Sequence, residues 1–78
     1  IAQGPQVQDL GQGRFRISVP VRANSPDSQA RGMHRIAEAA RQACGPRQRA
    51  VSEGTLEANP GANRTLLLSE VYACRPAA

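Results

Sequence analysis

The chain has no tryptophan and no lysine, and it carries one phenylalanine, one tyrosine, one histidine and one methionine in 78 residues. So few aromatics leave a small core of aliphatic side chains. A single domain of this length with so little mass to bury calls for a covalent staple. No apolar run approaches the roughly 18 residues that cross a bilayer as a helix. His34 stands alone, without a second histidine or a cysteine at ligand spacing, so the pattern gives no zinc site and no metal ligands are assigned. Nor does any spacing join His34 to Ser18, Ser25, Ser28, Ser52 or Ser69 with an acid behind it, as a hydrolytic triad would need. Gly11-Gln12-Gly13 precedes a strand, whereas a phosphate cradle follows a strand and opens a helix. No catalytic residue and no cofactor is therefore expected.

The basic residues that are present are all arginine. Ten Arg against six acids give a formal charge of +4. Together with abundant Ala and Gly, the complete preference for Arg over Lys is a compositional habit of GC-rich coding, which weakens any inference from the high isoelectric point alone.

One stretch organises the rest. From Asn24 to Pro46 the sequence reads as a complete helix: Ser25 caps it, Pro26 fits its first turn, and Asp27 puts an acid at the positive end of the dipole. Ala30, Met33, Ile36, Ala37, Ala40, Ala43 and Cys44 recur at three and four residues and are expected to form its apolar stripe. Gly45-Pro46 ends it. Glu38 stands three residues from both Arg35 and Arg41, a spacing for surface ion pairs.

Before the helix, Phe15, Ile17, Val19 and Val21 alternate with Arg14, Arg16, Ser18, Pro20 and Arg22, the period-two mark of a strand with one dry face. Pro20, lacking an amide hydrogen, places this strand at an edge, or brings it to an edge at that point. After the helix, Arg47 to Ala58 is a weaker strand candidate that Gly54 is expected to break with a bulge or a change of face. Asn59-Pro60-Gly61-Ala62-Asn63 reads as a hairpin loop. Arg64 to Cys74 is the most apolar strand, with Leu66, Leu68, Tyr72 and Cys74 on one parity and Leu67 and Val71 on the other, as expected of a central strand or of one covered on both sides over its first half. Glu70 interrupts that parity, and if it turns inward an Arg from the neighbouring strand is its expected partner. Residues 1–13, rich in Gln and Gly, read as a flexible arm or linker. The expectation is an α+β domain over residues 14–75, ordered strand-helix-strand-strand, with one helix on a three-stranded sheet. Cys44 and Cys74 then meet at one edge as a disulfide, which points to an oxidising compartment.

For function, the wet face of the first strand (Arg14, Arg16, Arg22), its free edge and the loop residues Asn59 and Asn63 are the candidate partner-binding elements. Arg31, Arg35 and Arg41 lie on the helix, on the other side of the domain, which divides the basic field. Nucleic acid is disfavoured because Phe15 and Tyr72 sit on apolar parity, away from the arginines.

The strand Gly13-Arg14-Phe15-Arg16-Ile17-Ser18-Val19, the helix Met33-His34-Arg35-Ile36-Ala37-Glu38-Ala39-Ala40 closing at a Cys, and a last strand running into a second Cys resemble the small globular parts of Gram-negative cell-envelope lipoproteins. That resemblance implies a periplasmic or secreted domain that binds another envelope protein without catalysis. A first residue other than Met fits a processed chain that has lost a signal or a lipid anchor. The competing expectations are a small inhibitor or immunity protein that blocks an enzyme cleft, and an Arg-rich nucleic-acid-binding domain.

Overall fold

In the computed structural model, which describes residues 4–54 and 56–77, the order of elements is β1 (Gln6–Gly11), β2 (Arg14–Arg22), α1 (Pro26–Cys44), β3 (Gln48–Ser52), β4 (Glu57–Pro60) and β5 (Thr65–Pro76). The five strands form one antiparallel sheet in the order β1-β2-β5-β3, with β4 also pairing β5. The fold is α+β, with one helix lying on one face of the sheet.

The central strand is β5, as its apolarity on both parities requires. Along one flank it pairs β2 without interruption, from Arg14↔Ala73 to Arg22↔Thr65. Along the other it pairs β3 through Tyr72 to Pro76 and β4 through Leu66 to Ser69. The expected single strand over Arg47 to Ala58 is thus two short strands, interrupted at the expected place. Gly54, at φ +77°, sits in the interruption, and the Ser52 hydroxyl accepts its N–H at 3.1 Å. Thr55 lies outside the described residues, as do Ile1, Ala2 and Gln3 of the expected arm.

Several expectations are corrected. The sheet has five strands rather than three, because residues expected in an arm join it and the strand expected over Arg47 to Ala58 is divided in two. Gln6–Gly11 are not a linker but the edge strand β1, turned onto β2 by Gln12-Gly13, both at positive φ (58° and 73°), the backbone of a two-residue hairpin turn. Polar composition concealed this strand, since all six of its residues are exposed and five of them, all but Leu10, are in register with β2. Asn59 and Pro60 likewise belong to β4 and not to the hairpin loop, which is the turn over residues 61–64. Finally, β2 is internal over most of its length, and its edge is therefore not free there. Pro20 lies beyond Ser18, the last β2 residue paired with β1, so the missing amide falls where the strand does reach an edge.

The helix begins and ends as its sequence dictates. Ser25 accepts the Ser28 N–H at 3.1 Å, Pro26 and Asp27 follow in the first turn, and the Gly45 N–H returns to the Arg41 carbonyl at 3.1 Å. Its buried face differs from the expected stripe. Gly32, Ile36 and Ala40 are buried, whereas Ala30 and Ala37 are exposed and Met33 is 47% exposed. The stripe is rotated because the helix approaches the sheet through Gly32. A Cβ at that position would overlap Val21 Cγ1 and lie 3.4 Å from Val19 Cγ1 and 3.5 Å from Leu68 Cδ1. The core is Ile17, Val19, Val21, Ile36, Ala40 and Leu68, with Phe15, Leu66 and Tyr72 packed against it. Cys44 and Cys74 are bonded, with Cα atoms 5.4 Å apart, tying the end of α1 to β5.

Candidate functional site

One face of the sheet carries the helix and the other carries none. Residues directly opposite in an antiparallel register project to the same face. Since Ile17, Val19 and Val21 lie under α1, Arg14, Arg16, Ser18, Pro20 and Arg22 fall on the open face, with Ala73, Val71, Ser69, Leu67 and Thr65 of β5 opposite them. The same reasoning adds Arg49 opposite Arg75, Val51 opposite Ala73, Glu57 opposite Ser69 and Asn59 opposite Leu67.

Four of the five residues expected to bind a partner, Arg14, Arg16, Arg22 and Asn59, therefore share this face. Asn63 does not. It lies in the turn before β5 at φ 57°, next to Arg64 at φ 61°, where the Arg64 carbonyl accepts the Ala23 N–H at 2.9 Å. Arg49 and Arg75 are the members that sequence reasoning missed. The available signal was parity: had the last strand been extended to Pro76, Arg75 would have fallen in line with Val71 and Ala73.

Small side chains form the middle of the face. Ser69, Val71 and Ala73 are 8%, 8% and 3% exposed although no helix covers them. Longer neighbours shelter them, above all a bridge across the strand: Arg14 donates through Nε and Nη2 to Glu53 Oε2 and Oε1, both at 2.8 Å. The two-pronged geometry is that of a guanidinium matched to a carboxylate. It holds the Glu53 carboxyl below the usual range, chiefly through the hydrogen bonds, with the Arg75 charge assisting, and raises the Arg14 guanidinium still further. Both partners are open to water, so this is an ordering contact and a weak one. By sign, a lowered carboxyl favours the fold above the ordinary glutamate value and that contribution fades as the pH falls through the lowered one. A cavity of about 250 Å³ beside the bridge is lined by Arg14, Arg16, Glu53, Glu57, Ser69 and Val71, with Glu70.

Among the described residues the only other ion pair is Arg41 with Glu38 on the helix, at 2.7 Å. Arg16, Arg22, Arg49 and Arg75 accordingly have no acid among the described residues within 4.0 Å. On the open face five arginines meet two glutamates, and its exposed apolar members include Leu67 (41%) and Val51 (38%). Phe15 and Tyr72 face the helix side, so the arginines stand without an aromatic neighbour on their own face.

On the helix side, Glu70 has a polar partner other than the arginine expected for it: the Ser52 hydroxyl donates to its carboxylate. Tyr72 lies beside this pair, opposite Ser52 in the register. Burial, then the negative charge of Glu70 and a hydrogen bond to it, push the Tyr72 phenol above its ordinary value. Because Tyr72 is the only tyrosine, its ionisation can be followed by tyrosinate absorbance. The midpoint is expected above that of a free tyrosine, and Glu70→Gln should lower it without restoring the free value, because burial remains. A midpoint unchanged in Glu70→Gln would remove the carboxylate from that explanation. The fold should lose stability as the pH rises from about 10 through the raised value.

His34 is exposed on α1 and borders a cavity of about 360 Å³ with Pro5, Glu38 and Gln42. No group of three or more His, Cys, Asp or Glu residues able to hold a metal occurs among the described residues. No helix among the described residues is long and apolar enough to cross a membrane. The disulfide is compatible with a place outside the cytoplasm.

No family model, curated protein or solved structure matches this chain.

Proposed function

We propose that this is a non-catalytic, protein-binding domain of the periplasm or the secreted space, of the kind carried by envelope lipoproteins, and that it binds through the open face of its sheet. The observation that supports this most is the division of the sheet into a packed side and an open side. The packed side buries the main core cluster, while the open side holds five arginines over a floor of small residues with Leu67 and Val51 exposed among them. The sheet backbone and the Arg14–Glu53 bridge are in place before a partner docks, which limits the ordering entropy lost on binding. The Cys44–Cys74 bond supports the extracytoplasmic compartment. The face, rather than the edge of β2, is the docking element because β1 already occupies that edge through Ser18.

The experiment is site-specific photo-crosslinking in cells of the source organism. A photoreactive residue in place of Leu67 is expected to give one discrete protein adduct, and the same residue in place of Arg31 on α1 is expected to give none. Adducts from both positions alike, or from neither, would contradict docking through the open face.

A further inference from the structure

We infer that the partner surface is acidic: the open face takes a segment of another protein in which carboxylates alternate with small apolar side chains. This rests on the docking reading above and names the chemistry of what docks.

Three features carry it. The first is charge. Among the described residues, of Arg14, Arg16, Arg22, Arg49 and Arg75 only Arg14 is ion-paired, with Glu53. The second is placement. Arg49 and Arg75 stand directly opposite each other in the β3–β5 register, and like charges in that position oppose the pairing. Glu53, the carboxylate whose charge Arg75 feels, is already engaged by Arg14, so the conflict is only partly eased, and such local conflicts are expected at functional sites. An incoming carboxylate between the two would relieve it. The third is repeat. Arg14 and Arg16 are separated along β2 by about 7 Å, the two-residue repeat of an extended chain, so successive outward carboxylates of an extended acidic segment can meet successive guanidinium groups. Ser69, Val71 and Ala73 supply a low floor between them, and Leu67 and Val51 offer apolar contact at either end.

The same observations disfavour a uniform polyanion. Glu53 and Glu57 stand within the patch and would repel a continuous phosphate backbone. Base stacking would need aromatics on this face, yet Phe15 and Tyr72 pack toward the core. A protein segment can place neutral residues over the two glutamates and carboxylates over the arginines, which a nucleic acid cannot.

The test is a titration of the full chain with a ten-residue peptide alternating Glu with Val and Ser, read by amide chemical shifts. Its Gln-for-Glu counterpart and a single-stranded oligothymidine serve as comparators. Shifts are expected along β2 and β5, weakening as salt rises toward about 0.15 M. Arg16→Glu/Arg75→Glu should weaken binding at least about tenfold, while Arg31→Glu/Arg35→Glu on the helix should leave it nearly unchanged. The inference is overturned if the shifts fall on α1, if the Gln peptide binds as well as the Glu peptide, or if oligothymidine binds more tightly than either. A discrete protein adduct from Leu67 with no binding of the Glu peptide would also overturn it, while leaving the docking reading in place.

Discussion

Replacing Cys44 and Cys74 together by alanine is expected to remove roughly 3–4 kcal/mol of stability, the loop-entropy contribution of a bond that closes about thirty residues. The two cysteines are 30 residues apart in sequence and join the last turn of α1 to the strand at the centre of the sheet. The effect is large because little else holds this end of the helix. The core side chains Ile36 and Ala40 lie upstream of Cys44, and only Ile17, Val19 and Ile36 are large and fully enclosed. For a domain of this size total stability is on the order of 5 kcal/mol, so the double variant should be close to unfolding at ambient temperature. Urea denaturation of the two proteins measures it. A variant with the wild-type midpoint would show that burial alone fixes the helix, and that the bond is not a stabilising element.

Gly32→Ala should also destabilise, although it replaces a poor helix former with the best one. Propensity alone favours alanine by about 1 kcal/mol in a helix interior. Against this stands overpacking, which costs roughly 1–3 kcal/mol when no neighbour can yield. Here the new methyl meets Val21 Cγ1 head-on and touches Val19 and Leu68, all three enclosed in the core. We therefore expect a net loss of about 1–2 kcal/mol, seen as a melting temperature lower by roughly 5–15 °C in a small domain. Val21→Ala should cancel much of it, so that in the Gly32→Ala/Val21→Ala protein the glycine substitution costs less than it does alone. A Gly32→Ala protein that melts higher than the wild type would mean the helix can lift off the sheet at no cost.

These two results mark what could and could not be read from the amino acids. Local rules governed the helix: Ser25, Pro26, Asp27 and Gly45 fixed both of its ends, and each occupies the expected role. The face it buries did not follow from periodicity, because hydropathy weighs methyl groups and the closest approach to the sheet is made by a residue without one, Gly32. Met33 and Ala37, which look like core positions, face outward as a result. The alternation in β2 and the two-sided apolarity of β5 set the order of those strands. By contrast β1 and β4 have no apolar face, all their residues being exposed. They are held by backbone pairing to β2 and β5, and side-chain pattern carries no trace of that.

The candidate face was legible only in part for the same reason. Arg14, Arg16 and Arg22 declare themselves by alternation within one strand. Arg49 and Arg75 join them only through a cross-strand register, which depends on where β3 and the end of β5 pair. The disulfide was legible from two cysteines at the ends of two elements, whereas the Arg14–Glu53 bridge, between residues 39 apart, was not, because it forms only once β3 and β4 separate at Gly54.

The measurement that bears most directly on the account is the thiol state of Cys44 and Cys74 in the chain taken straight from its source. Intact mass is recorded after alkylation under denaturing conditions, with and without prior reduction. The account predicts a monomer whose thiols resist labelling until reductant is added, as befits a bonded domain working outside the cytoplasm. If both cysteines label at once without reductant, the chain works in a reducing compartment, and the arginines of the open face belong to a different partner from the one argued for above.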